Sequence, residues 1–209
     1  MAIYLLALGA LFSVINPLGT LPVFLGLTSD KTKSQINSTA FWSAINTFFI
    51  LLIAFFAGKY ILSFFSISIN SLKIAGGLII TSSGFALLTG NFIKHKGMKK
   101  KEKEDASTRN AISLTPIAIP MLAGPGSISL LITYNHQYNN SLEQIAIIAA
   151  ILSVCILTYF ILRSSGYIVK LLGASGINAL SRIIGFIVIS IGVEYILSTV
   201  VGLMKGIIS

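Results

Sequence analysis

Charged residues are scarce in this chain: only 10% of its 209 residues are Asp, Glu, Lys or Arg. A water-soluble domain of ordinary composition carries about 25% charged residues. Hydrophobic residues make up 55% of the chain, and its mean hydropathy is +0.89. The shortage of charge therefore excludes a soluble globular protein and indicates an integral membrane protein.

Cysteine and histidine are nearly absent as well. The single Cys155 has no second cysteine for an intrachain disulfide, and its apolar surroundings suggest a packing residue. His95 and His136 are far apart in sequence, so neither a metal site nor a cofactor is predicted. The sequence contains no Ser/His/Asp, Cys/His or phosphate-loop arrangement, and we expect the protein not to be an enzyme.

Six long stretches of the sequence contain few or no charges. A helix needs about 20 mainly apolar residues to cross a bilayer, and its backbone groups must be hydrogen-bonded within the segment. We therefore expect an all-α integral membrane protein with six transmembrane helices, forming a single membrane domain over residues 1–209. The predicted spans cover residues 2–27, 40–57, 74–93, 111–137, 144–162 and 183–204.

The net charge of +9 is concentrated in one hydrophilic connection. Seven of the 15 basic residues lie between residues 94 and 110, where acidic residues are mixed among them. This composition predicts a solvated loop at the lipid surface. Nucleic acid is not an expected partner, because no aromatic platform or nucleic-acid-binding motif accompanies the basic run.

The basic residues also predict how the chain is oriented. The connections after spans one, three and five carry twelve of them, and the opposite side carries three. Lys and Arg accumulate in cytoplasmic loops. We therefore expect both termini on the outer side of the membrane. The first span is expected to be retained rather than cleaved as a signal, because it is long and has no basic segment before it.

The two halves of the chain match when one is displaced by 108 residues. Pro17 then falls on Pro125, and Gly77 falls on Gly185. Each half, residues 1–93 and 111–209, holds three spans and is joined to the other by the 94–110 loop. Because three is an odd number, the second half must enter the membrane upside down. The sequence thus predicts a 3+3 inverted-topology repeat, which recurs among secondary transporters.

All five prolines lie in the first and fourth spans. Proline removes a backbone donor and clashes with the preceding helical turn. Asn is a favoured N-cap and Pro a favoured first helical residue, so the first helix is predicted to break at Asn16 and Pro17. The fourth is predicted to break at Gly124 and Pro125. The other prolines are interpreted as kinks: Pro22, Pro116 and Pro120.

The inverted repeat would bring the two breaks together near the middle of the bilayer. Each new helix N-terminus carries unpaired N–H groups and about half a positive charge, which suits a carboxylate. The preceding half-helices end in free carbonyls, which suit an ammonium group or a cation. The expected ligand is a small zwitterionic solute, and the candidate substrate-binding residues at the breaks are Asn16, Pro17, Gly19, Thr20, Gly124, Pro125, Gly126, Ser127 and Ser129.

Glu194 is the only acidic residue inside any predicted span. An ionisable group near the bilayer centre costs about 2.5–3.5 kcal/mol on insertion scales, which favours a function and adds Glu194 to the candidate site. It shares one helix face with Ser190 and Ser198. Two interpretations stay open: Glu194 binds a substrate ammonium or carries a coupling proton, or it is a protonated packing residue. The coupling ion, a proton or sodium, is also open.

Three segments of the sequence carry a resemblance to a known family. They read INPLGTLP at residues 15–22, IAGG at residues 74–77 and TPIAIPMLAGPGSI at residues 115–128. With them the chain resembles the MarC family of multi-pass inner-membrane proteins over essentially its whole length. The resemblance implies a location in the plasma (bacterial inner) membrane, six spans and a distant relation to amino-acid exporters of the LysE type. It also implies transport of small neutral amino acids, as described for some relatives.

Three functions compete at this stage. The first is a secondary transporter that carries a small zwitterion by alternating access. The second is a passive channel or pore for a small neutral solute, which could use the same symmetric fold. The third is a structural or regulatory membrane protein whose helix breaks bind no ligand.

Overall fold

The computed structural model describes residues 1–28, 31–89 and 113–208. These residues form seven α-helices and one π-helix, and no β-strand occurs among them. The all-α prediction is therefore confirmed. The predicted basic loop, residues 94–110, lies outside the described residues. The elements in chain order are α1 (Ala2–Ile15), α2 (Pro17–Leu27), α3 (Lys33–Phe64), α4 (Ile69–Leu88), the π-helix (Ser113–Leu122), α5 (Pro125–Gln137), α6 (Ser141–Arg163) and α7 (Ser165–Ile208).

Five stretches within the described residues are long and apolar enough to cross a membrane: Ala2–Leu21, Lys33–Phe64, Ile69–Leu88, Ser141–Arg163 and Ser175–Lys205. They correspond to the predicted first, second, third, fifth and sixth spans. The predicted fourth span is divided between the 10-residue π-helix and the 13-residue α5. Its first two residues, 111 and 112, lie outside the described part of the chain. The structure is that of a helical membrane protein with at least five apolar spans.

Polar residues set where the long helices begin. Thr32 and Gln35 form a capping box at the start of α3, with the Thr32 N–H donating to Gln35 Oε1 at 3.0 Å. Ser68 Oγ accepts the Ser71 N–H at the start of α4, at 3.1 Å. Asn140 caps α6 through the Leu142 N–H. These caps satisfy N–H groups that have no partner within the helix, and they fix the helix ends outside the apolar stretches.

The helices pack in a small set of pairs. The helix α1 contacts α6, α3 contacts α5, α6 and the π-helix, and α4 contacts α7. The main core between them is apolar, and its fully buried side chains include Leu11, Phe24, Leu51, Phe55, Leu131 and Ile151. A second, smaller core lies between α4 and α7 around Ile80 and Val188. Large apolar side chains such as Ile53, Phe64 and Phe186 are exposed on the outside, as expected where lipid replaces water.

Glycine lets α4 and α7 approach closely. A Cβ atom added at Gly84 would lie 2.8 Å from the Gly185 carbonyl oxygen, and one added at Gly185 would lie 2.9 Å from the Gly84 oxygen. Small residues at helix interfaces are how membrane helices reach this spacing. These glycines therefore serve close packing of α4 on α7. Near its start, α7 is interrupted at Gly173, which has φ 64° and ψ 174°.

Candidate functional site

The first span is interrupted at Asn16, where the sequence predicts a break. Asn16 adopts the left-handed conformation, with φ 48° and ψ 66°, which ends α1 and redirects the chain. Its N–H donates to the Phe12 carbonyl at 2.9 Å, and its Oδ1 accepts the Gly19 N–H at 3.0 Å. Thr20 Oγ1 donates to the Asn16 carbonyl at 3.2 Å. One residue therefore both ends α1 and caps α2, with Pro17 as the first helical residue.

The Asn16 side chain also carries an unused donor. It is only 1% exposed, and its Nδ2 has no hydrogen-bond partner. A buried donor without a partner costs about 1–3 kcal/mol. Gly19 makes this placement possible, because a Cβ there would overlap the Asn16 side chain. The space beside Gly19, a candidate substrate-binding residue, is thus filled by Asn16 itself.

The second interruption lies at Gly124, again where the sequence predicts it. Gly124 has an extended backbone, and α5 starts at Pro125 with no side chain capping its first turn. Ser127 Oγ donates back to the Gly124 carbonyl at 2.9 Å, so this hydroxyl does not satisfy an N–H group. Gly126 and Ser127 are buried, whereas Pro125 is exposed. The first-turn N–H groups of Gly126 and Ser127 therefore lack a side-chain cap, unlike that of Gly19 in α2.

A π-helix precedes this second interruption, and the sequence argument did not anticipate it. We interpreted Pro116 and Pro120 as simple kinks, but they lie within the π-helix Ser113–Leu122. Its wider turn continues to the break, where the Ala123 N–H donates to the Ala118 carbonyl five residues earlier, at 2.8 Å. Two prolines four residues apart remove two donors from the helical ladder, and that spacing is the signal we missed. π-Helical turns are frequent at functional sites.

The two interruptions lie against each other. The helix α1 contacts α5, and α2 contacts the π-helix, so each half of one span meets a half of the other. A Cβ added at Gly126 would lie 3.3 Å from Val14 Cγ1 and 3.0 Å from Ile80 Cγ1. The start of α5 is thus packed on the last turn of α1, two residues before Asn16.

Ser129 lies one turn further along α5 and faces α4. Its Oγ donates to the Leu72 carbonyl at 3.3 Å, and a Cβ added at Gly76 would overlap it. The Ser129 hydroxyl is therefore engaged with the neighbouring helix. Thr133, on the same face of α5 as Ser129, is 1% exposed with no hydrogen-bond partner for its hydroxyl. The sequence argument had not named Thr133, because a threonine in an apolar helix carries no distinguishing signal.

Glu194 lies in a different place from the interruptions. Its side chain is exposed and lines a groove of about 730 Å³ between α1, α5 and α7. Ser190 and Ser198 line the same groove, so the prediction that they share a face with Glu194 is confirmed. Of the described residues, those at the two breaks do not line it. The groove also includes Tyr134 and Tyr195, which sequence reasoning did not assign to any site.

Comparison with known proteins agrees with this architecture. The family model described as "MarC family integral membrane protein" matches residues 1–204. The chain is 32% identical over 199 residues to the UPF0056 membrane protein YhcE of Escherichia coli K12, covering 95% of this chain and 92% of the relative. It is 34% identical over 210 residues to the UPF0056 inner membrane protein MarC of Salmonella typhimurium LT2, covering 96% and 95%.

Another relative is the UPF0056 membrane protein BU267 of Buchnera aphidicola from Acyrthosiphon pisum. It is 33% identical over 208 residues, covering all of this chain and 96% of the relative. No solved structure matches the chain. With its helical membrane fold, a family match over nearly the whole length and several relatives above 30% identity, the chain belongs to the MarC family of integral membrane proteins.

Proposed function

We propose that this protein is a secondary transporter of small zwitterionic solutes, of which glycine, alanine and serine are the simplest candidates. The substrate would bind between the two helix interruptions. One observation carries the proposal: the buried, unpartnered Asn16 Nδ2 lies at the end of α1, and the uncapped N-terminus of α5 packs on the same turn of α1. A helix start and a buried amide donor together offer what a carboxylate needs.

The polarity of the interruptions supports a zwitterion. The first-turn N–H groups of Gly126 and Ser127 and the Asn16 amide are donors for a carboxylate. Carbonyl groups at the end of α1 and in the π-helix, where proline supplies no donor, are acceptors for an ammonium group. Neither interruption contains a charged residue. A ligand whose own charges cancel suits such a neutral site better than a net ion, because a lone buried charge would be costly.

The inverted repeat belongs to the same proposal, and the glycine contacts support it. Gly77 packs on Gly192, and Gly84 packs on Gly185. A displacement of 108 residues turns Gly77 into Gly185 and Gly84 into Gly192, so it exchanges the two contacts. A pairing in which residue i meets j and residue j meets i is the mark of a twofold relation.

The helix pairs follow the same rule. Exchange of the halves converts the contact of α1 with α6 into that of the π-helix with α3, and both contacts exist. Two inverted three-span repeats rocking about the interruptions would give alternating access. The proposed orientation has both termini on the outer side, because most basic residues would then face the cytoplasm.

Uptake into proteoliposomes tests the proposal. Purified protein should take up radiolabelled glycine or alanine saturably and show counterflow when unlabelled amino acid is trapped inside. We expect Asn16→Ala to reduce uptake at least tenfold, because it removes a donor in the proposed site. Asn139→Ala is the matched control, since Asn139 is an exposed asparagine on the turn before α6.

Three outcomes would contradict the proposed secondary transport. Flux without saturation or counterflow would favour a passive pore. No flux of any neutral amino acid, together with no ligand-dependent rise in thermal stability, would favour a structural role. Equal loss of uptake in Asn16→Ala and Asn139→Ala would mean that transport does not depend on a binding site at the interruptions.

A further inference from the structure

A basic pocket lies at one end of the bundle, apart from the interruptions. Lys33 begins α3, Arg163 ends α6 and Lys170 lies in the first turns of α7, and all three line a pocket of about 430 Å³. Each of them is exposed, and the described residues that line the pocket include no carboxylate. The lining also includes polar neutral groups, Asn37, Ser164, Ser165 and Tyr167, together with Leu25, Ile36 and Gly166. Three cations that converge without an anion from the protein favour an anionic ligand.

An apolar groove continues from this pocket along the same two helices. It has a volume of about 330 Å³ and lies between α3 and α6. On α3, Asn37 lines the pocket, while Phe41 and Ile45 line the groove at successive steps of four residues along one helix face. On α6 the groove continues in the same way towards Leu152.

A direct contact joins the pocket to the groove. Arg163 lines the pocket, Tyr159 lines the groove, and Arg163 Nη1 donates to the Tyr159 hydroxyl at 3.0 Å. The Arg163 guanidinium also lies 5.8 Å from the centre of the Tyr159 ring. From Phe41 to Phe49, which line the groove, α3 rises about 12 Å at 1.5 Å per residue. That length covers most of one leaflet, whose thickness is about half of the 30 Å hydrocarbon core.

We propose that the pocket and the groove together bind one anionic phospholipid. The phosphate headgroup would lie among Lys33, Arg163 and Lys170, and an acyl chain would lie in the groove between α3 and α6. The basic pocket alone would suit inorganic phosphate equally well. The apolar groove that starts beside Arg163 and runs through most of one leaflet favours a lipid. This inference does not depend on the transport function.

Native mass spectrometry of the full chain in detergent tests the inference. We expect phosphatidylglycerol to be retained more strongly than phosphatidylcholine with the same acyl chains. A basic residue near an anionic lipid is worth about fivefold in affinity, so the K33Q/K170Q pair should weaken phosphatidylglycerol binding about 25-fold. The K31Q/R182Q pair removes the same charge outside the pocket, and we expect a change of less than threefold.

A second arm identifies the source of the phosphate. Phosphatidylglycerol with six-carbon chains should bind at least tenfold more weakly than the long-chain lipid, because each buried methylene contributes to binding. Inorganic phosphate at millimolar concentration should not displace the long-chain lipid. Far-ultraviolet circular dichroism confirms that each variant remains helical.

Four results would overturn the inference. Equal retention of the two headgroups would mean that the pocket does not select an anionic lipid. Equal weakening by the two pairs of substitutions would reduce the pocket to general surface charge. Displacement by inorganic phosphate would make it a phosphate site without a lipid. A dimeric mass with no lipid attached would mean that a second copy of the chain covers the groove.

Discussion

Gly77 of α4 and Gly192 of α7 pack backbone against backbone. A Cβ added at Gly77 would lie 2.7 Å from the Gly192 carbonyl oxygen, and one added at Gly192 would lie 2.6 Å from the Gly77 oxygen. Real Cβ atoms do not approach a carbonyl this closely, so neither position tolerates a side chain without moving a helix. The Gly77–Gly192 contact therefore fixes the spacing of the third and sixth spans.

Gly192→Ala is expected to destabilise the protein by about 1–3 kcal/mol, the usual cost of overpacking. In thermal unfolding in detergent, Gly192→Ala should have a lower melting temperature than the natural protein. Gly202→Ala is the control, because Gly202 lies in the same helix with nothing within 4 Å of its added Cβ. In Gly202→Ala the gain in helix propensity should leave the free energy of unfolding equal to that of the natural protein, or higher by up to about 1 kcal/mol. Equal melting temperatures of the two variants would contradict the packing argument.

Gly19→Ala is expected to impair the first interruption specifically. The added Cβ would overlap the Asn16 side chain, so Asn16 must leave its hydrogen bond to the Gly19 N–H. Loss of an N-cap costs about 1 kcal/mol, and the displaced amide should also raise the KM for the transported amino acid. Thermal unfolding and proteoliposome uptake measure the two effects.

Gly26→Ala serves as the control for this prediction. Gly26 lies in the same short helix, α2, and its added Cβ would meet nothing within 4 Å. Its stability should equal that of the natural chain or exceed it by up to about 1 kcal/mol, the gain in helix propensity, and its KM should be unchanged. If Gly26→Ala raised KM as much as Gly19→Ala, the effect would belong to α2 in general and not to the placement of Asn16.

Much of the fold could be predicted because the bilayer constrains the sequence so strongly. The apolar stretches located the helices, and the residue pairs Asn16-Pro17 and Gly124-Pro125 located both interruptions, since capping and proline chemistry are local. The π-helix was missed because its wider turn depends on which backbone carbonyls lose their N–H partners to proline. An apolar stretch predicts a helix but does not tell an α-helix from a π-helix.

The site was predictable only in part, since long-range packing decides which side chains remain free. Asn16 and Ser129 are both polar residues beside an interruption, yet Ser129 is engaged with the Leu72 carbonyl of α4. Asn16 retains an unpartnered amide. Nothing in the sequence near either residue distinguishes these outcomes.

Cysteine labelling tests the predicted orientation. The natural Cys155 is 4% exposed, so it is expected to react slowly with a membrane-impermeant maleimide, and Cys155→Ala removes it. In that background we expect S141C, at the exposed start of α6, to be labelled from outside intact cells. S34C, at the exposed start of α3, should be labelled only after the cells are permeabilised. The reverse pattern would invert the proposed topology.

Glu194→Gln tests whether the acid in the α1–α5–α7 groove couples transport to protons. Glu194 lines the groove with Ser190 and Ser198 beside it, and the hypothesis is that its carboxyl carries the coupling proton. We expect an inward proton gradient to increase amino-acid uptake by the natural protein several-fold and to have no effect on Glu194→Gln, which cannot ionise.

Glu143→Gln is the matched control, because Glu143 lies in the first turn of α6 and its variant should keep the response. A response that survives in Glu194→Gln, or one that follows a sodium gradient in both variants, would assign coupling to another group and leave Glu194 as a polar residue of the groove.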